Sequence, residues 1–336
     1  MTKKIFGSIN GKDVYLFTIK NKNGMSVSVC NFGALIIEIE TPDCNGNCEN
    51  VALRYDTFEE YKENRAFYGA VVGPNANRIE NAEFTIDGVT YKLDKNYGEH
   101  NLNSHREMGV HKRLWEYEEQ EQQVKFTLEL KDGELGFPGN KNISVTYSLT
   151  DENELVITYD AVSDKNTPIN MTNHCYFNLD GVGNGSIKDH EVQIFASSYT
   201  PINEERIPTG EILKVEGTPL DFRIPKKIGR DIDSEFEQIR LVSGFDHNMC
   251  LDNYTGQLQK AAIVKNSSKT RVMEVYTDLP GVQFYDGSEN KRKADANSGL
   301  AIETQFYPDS VNKSHFPSCI FGPDRKYHST TVYKFL

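Results

Sequence analysis

The sequence predicts an all-β fold, a large antiparallel β-sandwich with a few short helices. Three observations carry that expectation. Apolar residues alternate with polar ones at a period of two over several runs, turn-forming residues separate those runs, and helical periodicity is rare.

Taken in chain order, Asn45-Gly46 marks a first turn. Thr57-Phe58-Glu59-Glu60 fits a capping box, in which a threonine and a glutamate three residues on satisfy each other's backbone N–H groups, so a short helix is expected to start there. Asp87-Gly88 lies between Phe84-Thr85-Ile86 and Val89-Thr90-Tyr91-Lys92-Leu93, a strong hairpin signal because both turn residues tolerate positive φ. Val124, Phe126, Leu128 and Leu130 then alternate with polar neighbours, as do Ile143, Val145, Tyr147 and Leu149, and Leu155, Ile157, Tyr159 and Ala161. Successive side chains of a strand point to opposite faces, so each run puts one face in a core. Turns at Asp132-Gly133 and Phe137-Pro138-Gly139 separate the first two. A second capping box, Ser234-Glu235-Phe236-Glu237, predicts another short helix. Without linker, charge block or internal repeat, residues 1–336 are expected to form one domain.

Bulk properties exclude several classes of function. The 336 residues carry a formal net charge of -12, which argues against nucleic acid as a partner because phosphate binding needs clustered cations. No run of about 18 apolar residues is present, so no membrane span is expected. The first residues have lysines but no apolar core of a secretory signal, which makes the cytoplasm the expected location. Of the six cysteines only Cys44 and Cys48 are close in sequence, with no further Cys or His beside them. Neither a zinc site nor a disulfide framework is expected.

Chemistry concentrates in five segments. Asn77-Arg78 joins an amide to a rigid guanidinium fork, suited to several hydroxyl groups; a surface ion pair is the plain alternative for Arg78. Asn173-His174-Cys175-Tyr176-Phe177-Asn178 crowds more polar groups together than a simple core strand tolerates. In Gly244-Phe245-Asp246-His247-Asn248 the two ionisable neighbours face opposite sides of a strand, so one of them reaches a shared site. Gln283 lies in Leu279-Pro280-Gly281-Val282-Gln283-Phe284-Tyr285. Glu303 follows apolar Leu300-Ala301-Ile302, a partly desolvated setting in which a carboxyl pKa rises.

In this order the five segments closely resemble the signature motifs of the aldose 1-epimerase (galactose mutarotase) family. Thr172 to Leu179 matches Thr-Asn-His-x-Tyr-Phe-Asn-Leu, Pro280 to Tyr285 matches the Pro-Gly-Val-Gln-Phe-Tyr segment, and Glu303 opens the Glu-Thr-Gln-x-x-Pro-Asp pattern. The resemblance spans nearly the whole chain. It implies a galactose mutarotase-like supersandwich, His174 as general acid and Glu303 as base. It also implies Asn77, Arg78, Asn103, Tyr176, Asp246 and Gln283 as substrate contacts, and no metal or other cofactor. The implied reaction interconverts the α and β anomers of a free aldose, galactose- or glucose-like, by ring opening and reclosure. The implied partner is a monosaccharide, met by a monomer or homodimer, with Trp115 or a tyrosine against the apolar face of the sugar.

Two departures stand out. Pro74 occupies a place where the family usually has arginine, and Leu102-Asn103-Ser104-His105 replaces the family's Leu-His-Gly-Gly or Leu-His-Ser-Gly. Asn103 can hydrogen-bond but cannot become cationic; His105 and His100 are the candidates to fill the gap. The rival functions are a sugar-binding or sensor protein on the same fold and a glycoside hydrolase using Asp246 and Glu303 as its carboxylate pair.

Overall fold

The computed structural model describes residues 1–288 and 297–336. Its frame is a nine-stranded sheet, antiparallel at every junction. Across the sheet the strands run Glu116–Gln120, Gln123–Leu130, Lys141–Leu149, Glu154–Ser163, Tyr327–Phe335, Val272–Thr277, Gln259–Lys265, Glu191–Ile194 and Lys226–Lys227. The strand latest in sequence, Tyr327–Phe335, therefore sits in the middle, between Glu154–Ser163 and Val272–Thr277.

Two five-stranded sheets accompany it. The first follows chain order, Thr2–Ile9, Lys12–Lys20, Ser26–Cys30, Leu35–Pro42 and Cys48–Asn50. The second runs Leu213–Lys214, Ala196–Tyr199, Asp246–Leu251, Gly281–Tyr285 and Ala301–Gln305. Each packs on the large sheet. Phe17 meets Phe126 edge-on at 5.7 Å, and the Tyr147 hydroxyl donates to the Ala34 carbonyl at 2.6 Å. The Tyr333 hydroxyl donates to the Ile302 carbonyl at 3.0 Å. Burying each aliphatic or aromatic side chain between such layers contributes about 1.5–3 kcal/mol, and Ile143, Val145, Tyr147, Ile157 and Tyr159 are all fully buried.

Local signals in the sequence explain most element ends. Asp87 and Gly88 adopt φ of 53° and 77°, joining Glu83–Ile86 to Val89–Lys92 in the tight hairpin their types favour. Helix Phe58–Glu63 starts at the Thr57 box, where the Glu60 carboxylate accepts the Thr57 N–H at 3.1 Å. The Ser234 box behaves differently: its hydroxyl accepts the Phe236 N–H at 3.2 Å in a local turn, and the helix runs only from Glu237–Val242. A hydroxyl spent two residues ahead has no N3 amide left to cap. Among the described residues no helix is long and apolar enough to cross a membrane. Cys44 and Cys48 are exposed on their turn, while Cys30, Cys175, Cys250 and Cys319 are buried.

Candidate active site

Three neighbouring strands of the second five-stranded sheet build the floor of a cleft. In register, Asp246 lies opposite Tyr285, Asn248 opposite Gln283, and Gln283 opposite Glu303. Because side chains alternate, Asp246, Asn248, Gln283, Tyr285, Glu303 and Gln305 share one face, while His247, Met249, Val282, Phe284 and Ile302 share the other. The sequence alternates accordingly, polar toward the cleft and apolar toward the core. Gly281 is required by this crowding, since a Cβ there would approach Asn248 Oδ1 to 2.7 Å and the Tyr307 ring to 3.0 Å.

His174 arrives from a separate short strand, Thr172–His174, paired with Ala70–Val72. Its Nε2 lies 3.7 Å from Glu303 Oε1, and the two residues are 9% and 7% exposed. Burial pulls His174 down to about 4, against an opposing pull from the Asp246 charge. Burial likewise pushes the Glu303 carboxyl well above the usual carboxylate range, the Asp246 charge adds to it, and Arg78 works against it. Burial thus favours the uncharged form of both groups.

Asp246 stays on the low side. Burial raises it, but the Arg78 guanidinium and the Gln283 amide outweigh that effect. Arg78 Nη2 is 3.4 Å from Asp246 Oδ2, and its guanidinium lies 4.8 Å from the centre of the Tyr97 ring. Gln283 Nε2 donates to Asp246 Oδ1 at 2.6 Å; Gln305 Nε2 donates to Gln283 Oε1 and to Asn248 Oδ1, both at 3.0 Å. Asn77 and Asn103 clasp each other: Asn77 N donates to Asn103 Oδ1 at 2.8 Å and Asn103 N to the Asn77 carbonyl at 2.9 Å. Both have positive φ, 61° and 54°, a conformation asparagine tolerates better than most residues.

Asn77, Arg78, Asn103, His174, Tyr176, Asp246 and Glu303 line one cavity of about 820 Å³. Gln283 does not line it; the amide expected to touch substrate stands one layer back and braces Asp246. His247 turns away, as the strand alternation predicts, and packs near Tyr199. Neither candidate for the missing family histidine reaches the cavity. His105 Nδ1 accepts the N–H groups of Glu107 and Met108, and His100 Nδ1 accepts that of Asn81, so both fasten loops. Trp115 is also elsewhere, buried in the core with its Nε1 on the Val110 carbonyl at 3.0 Å. The apolar walls come instead from Tyr55, Phe67, Tyr97, Tyr176 and Tyr285. Tyr285 was legible, two residues after Gln283 on the same strand; Phe67, Tyr97 and Arg106 sit on loops whose sequence carries no such signal. Pro74 follows a cis peptide bond, and its carbonyl accepts the Asn170 N–H at 2.7 Å. Among the described residues no three His, Cys, Asp or Glu side chains converge as a metal site would require.

Comparison with known proteins agrees with this geometry. A profile of the aldose 1-epimerase family matches residues 15–334. Galactose mutarotase of Bos taurus is 39% identical over all of this chain and 98% of its own. Aldose 1-epimerase of Escherichia coli K12 is 37% identical, covering 97% of this chain and 96% of its own. The crystal structure of galactose 1-epimerase from Lactobacillus acidophilus superposes with a TM-score of 0.87 at 28% identity, over 100% of this chain and 98% of that one.

Proposed function

The chain belongs to the aldose 1-epimerase family and is an isomerase that interconverts the α and β anomers of an aldose; on that premise we propose that Glu303 and His174 are its base and acid. The observation that carries this reading is their 3.7 Å approach in the lining of a cavity large enough for a pyranose. Glu303 takes the proton from the C1 hydroxyl while His174 donates to the ring oxygen. The ring opens to the aldehyde, rotation about C1–C2 presents the other carbonyl face, and reclosure reverses both transfers. No electron is gained or lost, so the chemistry asks for no redox cofactor. Each positioned proton transfer is worth roughly 10²–10⁴ in rate.

The proposed reaction needs one proton on the two buried groups. Burial favours the neutral arrangement, imidazole beside carboxylic acid. The reactive arrangement, imidazolium beside carboxylate, contains the same proton moved from Glu303 to His174. A C1 hydroxyl donating to Glu303 and a ring oxygen accepting from His174 both stabilise that charged arrangement, because hydrogen bonds to ionised groups are stronger. Asp246 supports it by favouring positive charge on His174. In this reading Arg78, Asp246, Asn77, Asn103 and Tyr176 hold the remaining sugar hydroxyls and ring, and Gln283 fixes Asp246. The same proposal takes residues 1–336 as one domain, working in the cytoplasm as a monomer or homodimer on a free galactose- or glucose-like sugar.

Polarimetry on freshly dissolved α-galactose tests it. Glu303→Gln, which keeps the shape of the side chain, is expected to lose nearly all acceleration with its circular dichroism unchanged. A rate near that of the wild type would overturn the base assignment.

A further inference from the structure

We propose that Phe67 is a positioning residue for His174, its ring forming the electron-rich wall beside which the imidazole carries its charge. This deepens the reading of His174 as the acid and rests on it. The Phe67 ring lies 5.9 Å from the imidazole, centre to centre, at an interplanar angle of 24°, and it also meets the His111 ring at 4.6 Å. Tyr176 and Tyr285 approach the same imidazole at 4.9 Å and 6.3 Å. His174 is thus walled by three aromatic rings. The face of such a ring is negative, and a cation within about 6 Å of its centre is attracted to it.

The backbone holds Phe67 there against its own preference. Its φ is 60°, in the left-handed region that bulky residues avoid, with Asn64 at 24° and Gly69 at 63° on either side. The segment is fixed from several directions. Buried Asn64 accepts the Tyr68 N–H at 2.8 Å and donates to the Tyr68 carbonyl at 3.1 Å. A Cβ on Gly69 would fall 1.8 Å from the Ile36 carbonyl oxygen, so only glycine lets the two strands close around the turn. Backbone strain that persists because its surroundings enforce it is a marker of functional positions. Here the strained residue is the one that places a ring against the acid.

The charges around His174 leave room for this contribution. Asp246 favours the imidazolium, Glu303 lies 3.7 Å away, and Arg78 is tied to Asp246. His111, behind Phe67, is pulled to about 3 by burial and stays neutral. Burial also keeps Tyr176 a neutral phenol, and Tyr285 contributes its ring on a third side. Burial is the dominant force against charge on His174, and a ring face opposes it without bringing another titratable group into the site.

Stepwise fluorination of the Phe67 ring tests the proposal, because it keeps the ring's shape while draining electron density from its face. Across the series kcat for galactose mutarotation is expected to fall progressively, about threefold to thirtyfold in all, with KM within about twofold. The acid limb of the kcat profile should move to lower pH with each step, since a less stabilised imidazolium needs more acid to form beside protonated Glu303. Phe67→Tyr should retain the wild-type profile and Phe67→Leu should resemble the fluorinated end of the series. A series with constant kcat, or a falling kcat with an unmoved acid limb, would overturn the inference. Turnover surviving in His174→Asn would remove the acid reading itself; an inactive His174→Asn beside a flat fluorination series would remove only the role of Phe67.

Discussion

Gln283 grips Asp246: its Nε2 donates to Oδ1 at 2.6 Å while Arg78 approaches the other carboxylate oxygen at 3.4 Å. The carboxylate at the cavity wall is thereby fixed in direction by an amide that does not itself line the cavity. Gln283→Leu removes that brace and leaves Gln305 Nε2 without one of its acceptors. We expect KM for galactose to rise about tenfold, with a smaller change in kcat, as for a lost buried hydrogen bond of about 1–2 kcal/mol. Steady-state polarimetry checks it; an unchanged KM would show that Asp246 needs no brace.

Asn103 offers both halves of its amide in the proposed site. Its oxygen is committed to the Asn77 backbone at 2.8 Å, leaving the Nδ2 donor group for the cavity. Asn103→Ala should therefore loosen the Asn77–Arg78 turn and raise KM more than it lowers kcat. Asn103→His, which restores the imidazole usual in the family, should keep activity and add a pH dependence near 6–7 absent from the native enzyme. Comparing the two pH–rate profiles decides it: coincident profiles would mean that position 103 does not face the substrate.

Mutarotation should tolerate mild acid better than folding does. On the proposed assignment of acid and base, activity needs a single proton on the His174–Glu303 pair. Double protonation should remove the base as His174 titrates, near about 4, and loss of the pair's proton should end activity on the alkaline side. Stability fails earlier. His190 and His247 are held to about 4, and His111 to about 3, chiefly by burial, while the opposite shifts of His174 and Glu303 largely offset each other. A histidine whose folded pKa lies below its unfolded value of about 6.5 binds fewer protons folded than unfolded between those limits. Its contribution is therefore complete above pH 6.5 and declines as pH falls, by about 1.4 kcal/mol per unit per group as an upper bound. Calorimetry should show Tm dropping between pH 6.5 and 4, with Asp286, pushed up to about 6 by burial, offsetting part of the loss; a flat Tm there would contradict the neutral state of these three rings.

Gly281 should resist substitution although its φ is not positive. Gly281→Ala drives a methyl group into Asn248 Oδ1 and the Tyr307 ring, so a cost of about 1–3 kcal/mol in stability is expected from overpacking. Chemical denaturation measures it. A neutral result would mean that the polar floor of the cleft is loosely packed.

Strand alternation made most of this molecule readable. The runs at Val124, Ile143 and Leu155 are strands of the large sheet with the expected faces buried, and the opposed directions of Asp246 and His247 follow from the same period. Motif resemblance brought together His174, Glu303, Asn77, Arg78, Asn103, Tyr176 and Asp246, which no spacing in the sequence connects. It did not foresee that Gln283 stands behind Asp246, because a period of two assigns a face and not a depth. Trp115 illustrates the converse: a large ring suits a sugar and a core equally, and only the packing of its neighbours decides. Phe67 and Tyr97 lay beyond reach because loops place side chains by backbone angles that have no periodic signature.

The central place of Tyr327–Phe335 in the large sheet dictates when this protein can form. Every neighbour of that strand leaves the ribosome before it does, so Glu154–Ser163 and Val272–Thr277 wait with bare edges until residue 335 has emerged from the exit tunnel. The large sheet is thus closed from its flanks inward, its middle strand inserted last. Nascent chains arrested short of residue 327 should remain open to protease, whereas chains released a few dozen residues beyond 335 on a tethering linker should become resistant.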